Sequence, residues 1–140
     1  MANQVSVAVR NARADAVEAT IGASAVLKIF SGAPPENVAA ADSGTVLAVF
    51  NLPSDWMAAA SGGAKAKSGT WQTTGTEAAG AGTNAGHYRI YESNGTTCHK
   101  QGTCSGPTDD PLGDMILNNK NIAEGQEVTV SSYGWTEPNA

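Results

Sequence analysis

The sequence predicts an all-β protein, a jelly-roll-like antiparallel β-sandwich of about eight short strands with one N-terminal helix or arm. Three observations support this prediction. Short β-branched and aromatic runs recur between turn signals, Asn94-Gly95 marks a hairpin, and the chain lacks the long crossover segments that parallel sheets need. We treat the 140 residues as one domain with a helical arm (residues 1–22), a β-sandwich (23–136) and a C-terminal tail (137–140).

The N-terminal segment is predicted to be a helix over residues 6–21, ended by Gly22. Apolar residues at helical spacing define its expected inner face, which comprises Val5, Val9, Ala12 and Ala16. Val5, Val7 and Val9 also alternate as they would in a strand, and the sequence leaves this alternative open.

The β-sandwich is built from short apolar runs separated by turn residues. Six runs are predicted strands: residues 25–30, 45–52, 87–92, 96–101, 114–117 and 127–135. Residues 56–60 and 64–67 are expected to pair around Ser61-Gly62-Gly63. In the last strand the apolar positions slip by one residue, which predicts a β-bulge near Ser131 and Ser132.

Two segments between these strands are predicted to lie outside the sheet. Residues 69–86 are rich in Gly, Ala and Thr and indicate a linker, and residues 103–113 indicate an exposed loop. The glycines of the first segment miss the spacing of dinucleotide-binding loops, and no Gly-Lys-Ser/Thr follows them. We therefore expect no nucleotide cofactor.

Composition and charge restrict the kinds of partner. Leu, Ile, Val and Phe make up only 22 of the 140 residues, which indicates a thin core that could be completed against another protein. The net charge is -5 and the eight basic residues are scattered, which argues against nucleic acid. The N-terminus lacks signal-peptide features and no apolar run is long enough to span a membrane, so we expect cytosolic synthesis and no membrane partner.

The sequence contains no arrangement typical of an active site. Neither histidine, His87 or His99, accompanies a nucleophile elbow, so no catalytic residue is assigned. Cys98, His99 and Cys104, with His87, are the only plausible zinc ligands, but adjacent residues of one strand face opposite sides. The alternatives are a buried cysteine, a surface histidine, or a disulfide between Cys98 and Cys104.

An acidic cluster near residues 109–114 suggests calcium, but it lacks the glycine and terminal glutamate of an EF-hand. A solvated acidic loop is the simpler interpretation, so we assign no metal site. The three tryptophans, Trp56, Trp71 and Trp135, are expected to be buried and to supply much of the core.

Four fragments resemble a known family. They are AVLKIFSGAPP (residues 25–35), GHYRI (86–90), Gln101-Gly102 and GDMILNNKNIAEGQEVTV (113–130). Together they resemble the capsid cement, or decoration, proteins of tailed bacteriophages, and specifically the jelly-roll type found in short-tailed phages. The order of these fragments along most of the chain, and no single motif, provides the likeness.

The resemblance implies a structural virion protein without enzymatic activity. Such a protein is made in the host cytoplasm, forms homodimers and clamps neighbouring major capsid protein subunits on the outside of an icosahedral head. The N-terminal arm and the last strand are the expected contact surfaces, with candidate residues Val5, Val7, Val9, Arg10, Arg13, Tyr133 and Trp135. Cys98, Cys104 and the loop 103–113 have no assigned role in that family.

A second function stays open at this stage. A carbohydrate- or receptor-binding β-sandwich would use exposed tryptophans to stack on sugar rings. Arg10, Arg13, Lys28, Arg89 and Lys120 are further candidates for ionic contacts, although a solvated charge is the simpler interpretation for each.

Overall fold

The computed structural model describes residues 3–139, which form one α-helix, nine β-strands and a short 3-10 helix. In chain order the elements are α1 (Val7–Ile21), β1 (Val26–Ser31), β2 (Val46–Asn51), β3 (Ala64–Ala66), β4 (Gln72–Thr74), the 3-10 helix Glu77–Ala79, β5 (Thr83–Tyr91), β6 (Cys98–Ser105), β7 (Met115–Leu117), β8 (Asn121–Ile122) and β9 (Glu127–Thr136). The predicted fold class is confirmed, because an N-terminal helix precedes a curled, sandwich-like sheet.

The sheet follows the order β2-β1-β5-β6-β7-β9-β3, with β4 also paired to β9 and β8 to β5. The sheet curls back on itself, because Ala48 of β2 at one end bridges Gly75, which follows β4. The prediction of an antiparallel sheet is wrong at one pair, since β6 and β7 run parallel. The loop between them turns back on itself, and Gly113 N donates to Ser105 Oγ at 2.8 Å so that β7 starts beside the end of β6.

The predicted helix is confirmed. The Ser6 hydroxyl accepts a hydrogen bond from Val9 N at 3.2 Å, which caps the first turn, and Gly22 ends the helix with a φ of 91°. The alternative strand through Val5, Val7 and Val9 is wrong. Within residues 3–139, no helix is long and apolar enough to cross a membrane.

The inner face of α1 differs from the predicted one. Ala14 and Ile21 are buried and Val17 packs against the core. Three members of the predicted stripe are exposed: Val9, Ala12 and Ala16. The small alanine and valine side chains contribute too little burial to decide which way the helix faces.

A polar clamp fixes the orientation of α1. The Lys65 side chain of β3 is 3% exposed, and its Nζ lies 2.7 Å from Asp15 Oδ1 and 2.8 Å from Glu18 Oε2. Asn11 Oδ1 accepts a hydrogen bond from Gly63 N at 2.8 Å. Because a buried ammonium requires partners, the helix turns its carboxylates towards β3.

One of the two predicted hairpins forms, but with a different turn from the one expected. The β5–β6 hairpin contains Asn94-Gly95, but only Gly95 of that pair has a positive φ, 72°. Asn94 Oδ1 instead accepts hydrogen bonds from the N–H groups of Thr96 and Thr97. The type I′ turn is therefore wrong, and an Asx-type turn takes its place.

The second hairpin turns at Gly62 and Gly63, whose φ values are 61° and 79°, as predicted. Residues 56–60 do not form the expected strand, and Met57 makes only an isolated bridge to Lys67. Trp56 and Met57 are consecutive and both buried. The segment therefore adds two side chains to the core without continuing a strand ladder.

Residues 69–86 are part of the sheet, so the linker prediction is wrong. They include β4, the 3-10 helix and the start of β5, and Trp71 is only 1% exposed. Thr76 Oγ1 donates to Val46 O at 2.6 Å, which ties the segment to β2. The predicted exposed loop also begins later than residue 103, because β6 continues to Ser105.

The predicted bulge in β9 is confirmed. Val130 and Ser132 pair with consecutive residues of β7, which leaves Ser131 unpaired. The extra residue restores the inward direction, so Val128, Val130 and Tyr133 all lie in the core.

Aromatic side chains fill much of the core, as the scarcity of leucine and isoleucine requires. Trp56 and Trp71 are buried as predicted, whereas Trp135 is only partly buried. The Tyr88 and Tyr133 hydroxyls lie 2.8 Å apart, and their rings meet edge to face at 5.1 Å. The paired hydroxyls satisfy each other inside an otherwise apolar interior.

The polar clamp between Lys65 and α1 makes the stability of the fold depend on pH in both the acidic and the alkaline range. Hydrogen bonds from Lys65 and from Ala60 N hold the pKa of Asp15 below its ordinary value of 3.8. Burial alone would lower the pKa of Lys65, but hydrogen bonds to Asp15 and Glu18 outweigh it and raise the pKa above 10.5. Asp15 therefore stabilises the fold above pH 3.8, and this effect is lost as the pH falls through its folded pKa. Lys65 stabilises the fold below pH 10.5, and this effect is lost as the pH rises through its folded pKa.

We predict that Asp15→Asn flattens the acid limb of the stability curve, because asparagine removes the proton uptake on unfolding. The measurement is the urea midpoint between pH 7 and pH 3 for wild type, Asp15→Asn and the exposed control Asp55→Asn. An acid limb that is unchanged in Asp15→Asn would contradict the role given to the clamp.

Candidate binding site

The connection between β1 and β2 lies over the outer face of the sheet. We call this segment, residues 32–45, the strap. It is 14 residues long and contains no helix or strand. Connections of this length without regular structure are uncommon in compact domains and are usually functional. The strap is therefore the first candidate for a binding element.

Arg89 of β5 holds the middle of the strap. Its Nη1 donates to Asp42 Oδ1, and its Nη2 donates to Val38 O at 2.7 Å. The Tyr91 hydroxyl donates to the same Asp42 oxygen. Arg89 is only 1% exposed, so its guanidinium is an interior cation whose partners come mainly from the strap.

Two further side chains hold the first part of the strap. His87 Nδ1 lies 2.8 Å from Gly32 O, and Gln101 Nε2 donates to Pro35 O at 2.7 Å. The His87 ring stacks on Phe30 with centroids 5.0 Å apart. His87, Arg89 and Gln101 belong to β5 and β6 and reach the strap from the same face of the sheet, because alternate residues share a face.

The electrostatics of this cluster favour the ionised arginine. Burial alone would lower the pKa of Arg89, but the nearby Cys98 sulfur, the Tyr91 oxygen and the Asp42 carboxylate together outweigh burial, and the pKa is raised. Burial and the hydrogen bond to Asp42 raise the pKa of Tyr91, so its hydroxyl remains a donor. The strap is thus held by a charge-assisted network, which is stronger than neutral hydrogen bonds.

A cavity of about 470 Å³ opens between the strap and the ends of β5 and β6. Its walls are the strap residues 38–42, the β5 residues Arg89 and Tyr91, and Thr96, Thr97 and Cys98. Beneath it lies a small apolar cluster in which Val26, Phe30 and Tyr91 are buried. This volume is within the range of small-ligand pockets.

The residues predicted as an N-terminal contact surface lie on or beside the start of α1. Val7 and Val9 are 50% and 42% exposed, and Val5 is partly buried. Arg10 Nε donates to Glu137 O at 3.0 Å, and Arg13 is exposed. The two valines are therefore accessible to a partner, and Arg10 instead ties the helix to the C-terminal segment.

The last strand does not offer the predicted contact surface. Tyr133 is only 4% exposed and bonds to Tyr88 inside the core, so its assignment to an interface is wrong. Trp135 is partly buried, with Lys100 Nζ 4.7 Å from its ring centroid. β9 pairs with β7 at residues 130–133, with β3 at residues 134–136 and with β4 at residues 127–129, so each part of the strand is already paired within the chain.

The suggested disulfide between Cys98 and Cys104 is wrong. Both are free thiols at opposite ends of β6. Six residues of strand span roughly 20 Å, whereas a disulfide requires Cα atoms within about 7 Å. The sequence suggested the bond because the strand was expected to end before Cys104.

The histidines and acidic residues considered as metal ligands are engaged elsewhere. His99 Nε2 lies 2.7 Å from Glu92 Oε1, and Asp109 accepts hydrogen bonds from Gly106 N and Lys120 Nζ. Asp114 accepts from the Thr103 backbone and hydroxyl groups. Within residues 3–139, no three His, Cys, Asp or Glu side chains converge as a metal site would require.

The other cations proposed for ionic contacts also have partners within the chain. Lys28 Nζ donates to Gly95 O at 3.0 Å and lies over the Tyr91 ring, and Lys120 pairs with Asp109. Arg89 is buried and not solvated, so the simpler interpretation of a surface charge is wrong for this residue.

Sequence reasoning missed the pairing of Arg89 with Asp42, because 47 residues separate them. The sequence contained a weak signal for the burial of Arg89, since this residue lies between Tyr88 and Ile90 in a run of otherwise largely apolar residues. The burial of all five residues from His87 to Tyr91 means that both faces of β5 are covered. Something must therefore cover the arginine side, and the strap does so.

The fragments that suggested a family are neighbours in the fold. Gly86 lies against the strap at Gly32, where a Cβ would collide with the Gly32 carbonyl oxygen. Gly102 is packed against Tyr88 and Asp114 in the same way. No protein-family model, curated protein or solved structure matches the chain. The class defined by the fold is thus a β-sandwich-like protein with a clamped surface strap.

We predict that Arg89→Lys loosens the strap, because a single ammonium cannot reproduce two divergent hydrogen bonds. The exposed Glu36 in the strap provides the measurement, since a glutamate-specific protease should cleave after it faster in the variant. Lys120→Gln, which removes a more exposed ion pair with Asp109, is the matched control. Equal cleavage rates at Glu36 in Arg89→Lys and wild type would contradict the role of Arg89 in holding the strap.

Proposed function

We propose that this protein is a structural virion component that binds the outside of an icosahedral phage head and cements neighbouring major capsid protein subunits. The observation that supports this most is the strap, an exposed segment held in one conformation by buried side chains of the sheet. The same side chains, His87, Arg89 and Gln101, belong to the fragments that resemble phage cement proteins.

A clamped loop suits a protein whose task is binding. A flexible loop of this length would lose conformational entropy on docking, whereas the strap has already lost it during folding. At its exposed middle, the strap presents Val38, which is 38% exposed, and the small side chains of Ala39 and Ala41. A partner can bury this surface without reorganising it.

The start of α1 supplies a second contact surface in this proposal. Val7 and Val9 are exposed on a helix that is itself fixed to the sheet by the Lys65 clamp. Two rigid apolar surfaces on one small protein allow it to touch two neighbouring subunits. Repetition over symmetric copies, or pairing of two chains as a homodimer, would make simultaneous release improbable even if each contact is weak.

The runner-up function, binding of carbohydrate, has less support. Trp56 and Trp71 are fully enclosed by the core, so neither ring offers a face to a sugar. Trp135 is partly exposed, but the Lys100 Nζ already lies over one face of its ring, 4.7 Å from the centroid. The glycan hypothesis therefore serves as the comparator in the test.

We predict that the purified protein co-sediments with empty heads built from the cognate major capsid protein, and binds dispersed capsid subunits much more weakly. Val38→Asp and Val7→Asp should each lower the apparent affinity by about tenfold or more, because each places a charge in a desolvated contact. The control is Leu112→Asp, which changes an equally apolar and 58% exposed residue on the β6–β7 loop.

Failure of the wild-type protein to sediment with heads would contradict the proposal. Loss of binding by Leu112→Asp to the same extent as by Val38→Asp would contradict the assigned surfaces. A parallel glycan array, with Trp135 fluorescence as the readout, would favour the comparator if binding and quenching appear there.

A further inference from the structure

The cavity beneath the strap contains a thiol next to a buried cation. Cys98 is the cross-strand partner of Tyr91, and it lines the cavity together with Arg89 and Asp42. Its side chain is partly accessible, whereas Cys104 is buried at the other end of the same strand. The two cysteines of this chain therefore lie in opposite environments.

Arg89 supplies an independent sign that the cavity is suited to a ligand. Two of its guanidinium nitrogens bond to the strap, but Nε has no hydrogen-bond partner among residues 3–139 although the residue is 1% exposed. Buried donors without a partner are rare in native proteins and need an explanation. The guanidinium faces both the cavity and the Cys98 sulfur.

The charges around the cavity favour an anion over a cation. Among the lining residues, Arg89 is neutralised in part by Asp42. Lys28 is not a lining residue, but its Nζ lies 4.7 Å from the centroid of the Tyr91 ring and adds a second positive charge beside the cavity. A carboxylate on a ligand would be stabilised by the guanidinium. These groups form the elements of a site for thiol exchange with an acidic reagent.

We propose that Cys98 is a modification site that forms mixed disulfides with small, carboxylate-bearing disulfides, of which oxidised glutathione is a suitable probe. Cys98 gives its thiol proton to solvent, and the thiolate attacks one sulfur of the reagent. The reagent's sulfur–sulfur bond breaks, a new one forms at Cys98, and the other half leaves as a thiolate. Cys98 is oxidised and the departing half is reduced, so the exchange needs no further oxidant.

Cys104 serves as an internal control for this proposal. It is 8% exposed, and burial raises the pKa of its thiol. The same reagent should therefore modify Cys98 in the native protein and reach Cys104 only after unfolding in urea. Cys98→Ser should abolish the fast modification and Cys104→Ser should retain it.

The test compares two disulfides of opposite charge. Native protein is mixed with oxidised glutathione or with cationic cystamine, and modification is followed by intact-protein mass spectrometry. Each rate is divided by the rate of the same reagent with the urea-unfolded chain. We expect the corrected rate for glutathione to exceed that for cystamine by about tenfold, and the ratio to fall as salt is added.

Two variants test the part played by the guanidinium. Arg89→Met should bring the ratio towards one, with circular dichroism used to check that the variant is folded. Asp42→Asn removes the competing carboxylate and should raise the ratio, so it decides the question if Arg89→Met does not fold. The proposal is overturned if native Cys98 is not modified, if Cys104 is modified equally fast, if cystamine reacts as fast as glutathione, or if Asp42→Asn leaves the ratio unchanged.

Discussion

The buried positive charge of Arg89 is the constraint on which the outer face of this protein depends. A cation removed from water carries a desolvation cost that only well-placed partners can offset. Those partners, Asp42 and the Val38 carbonyl, lie on the strap, 47 and 51 residues away from Arg89 in the chain. The strap must therefore fold onto the sheet, and the sheet cannot bury β5 on both faces without it.

A second buried cation fixes α1 in the same way. Lys65 is buried in β3, and its partners Asp15 and Glu18 lie on the helix. In both places a basic residue of the sheet fixes a peripheral segment through carboxylates on that segment. Such pairs add specificity of placement more readily than net stability. A chain with few leucines and isoleucines thus positions its surface elements by charge, while aromatic rings fill its interior.

Local sequence signals predicted the elements that depend on local physics. Ser6 and Gly22 delimit the helix, Asn94-Gly95 marks a hairpin, and the slip in apolar spacing locates the bulge at Ser131. The face that α1 buries could not be predicted from its alanines, because distant Lys65 decides it.

Features that depend on contacts between residues far apart in the chain could not be predicted from the sequence. The contact between Arg89 and the strap depends on a pair of charges far apart in the chain, and the apolar run around Arg89 gives only a weak local sign that this arginine is buried. The parallel pairing of β7 depends on how the loop after Ser105 turns back. Strand β6 is longer than its sequence pattern suggested. It separates Cys98 from Cys104 and so excludes the disulfide.

These contacts describe a protein whose surface strap is already held in one conformation in the isolated chain. Backbone ¹⁵N relaxation on the isolated protein tests this claim most directly, because it reports picosecond-to-nanosecond order at each amide of the strap. The account predicts order parameters of about 0.85 for residues 36–43, similar to those of the β-strands. Values below about 0.6 across the same residues would show a flexible loop and would contradict it.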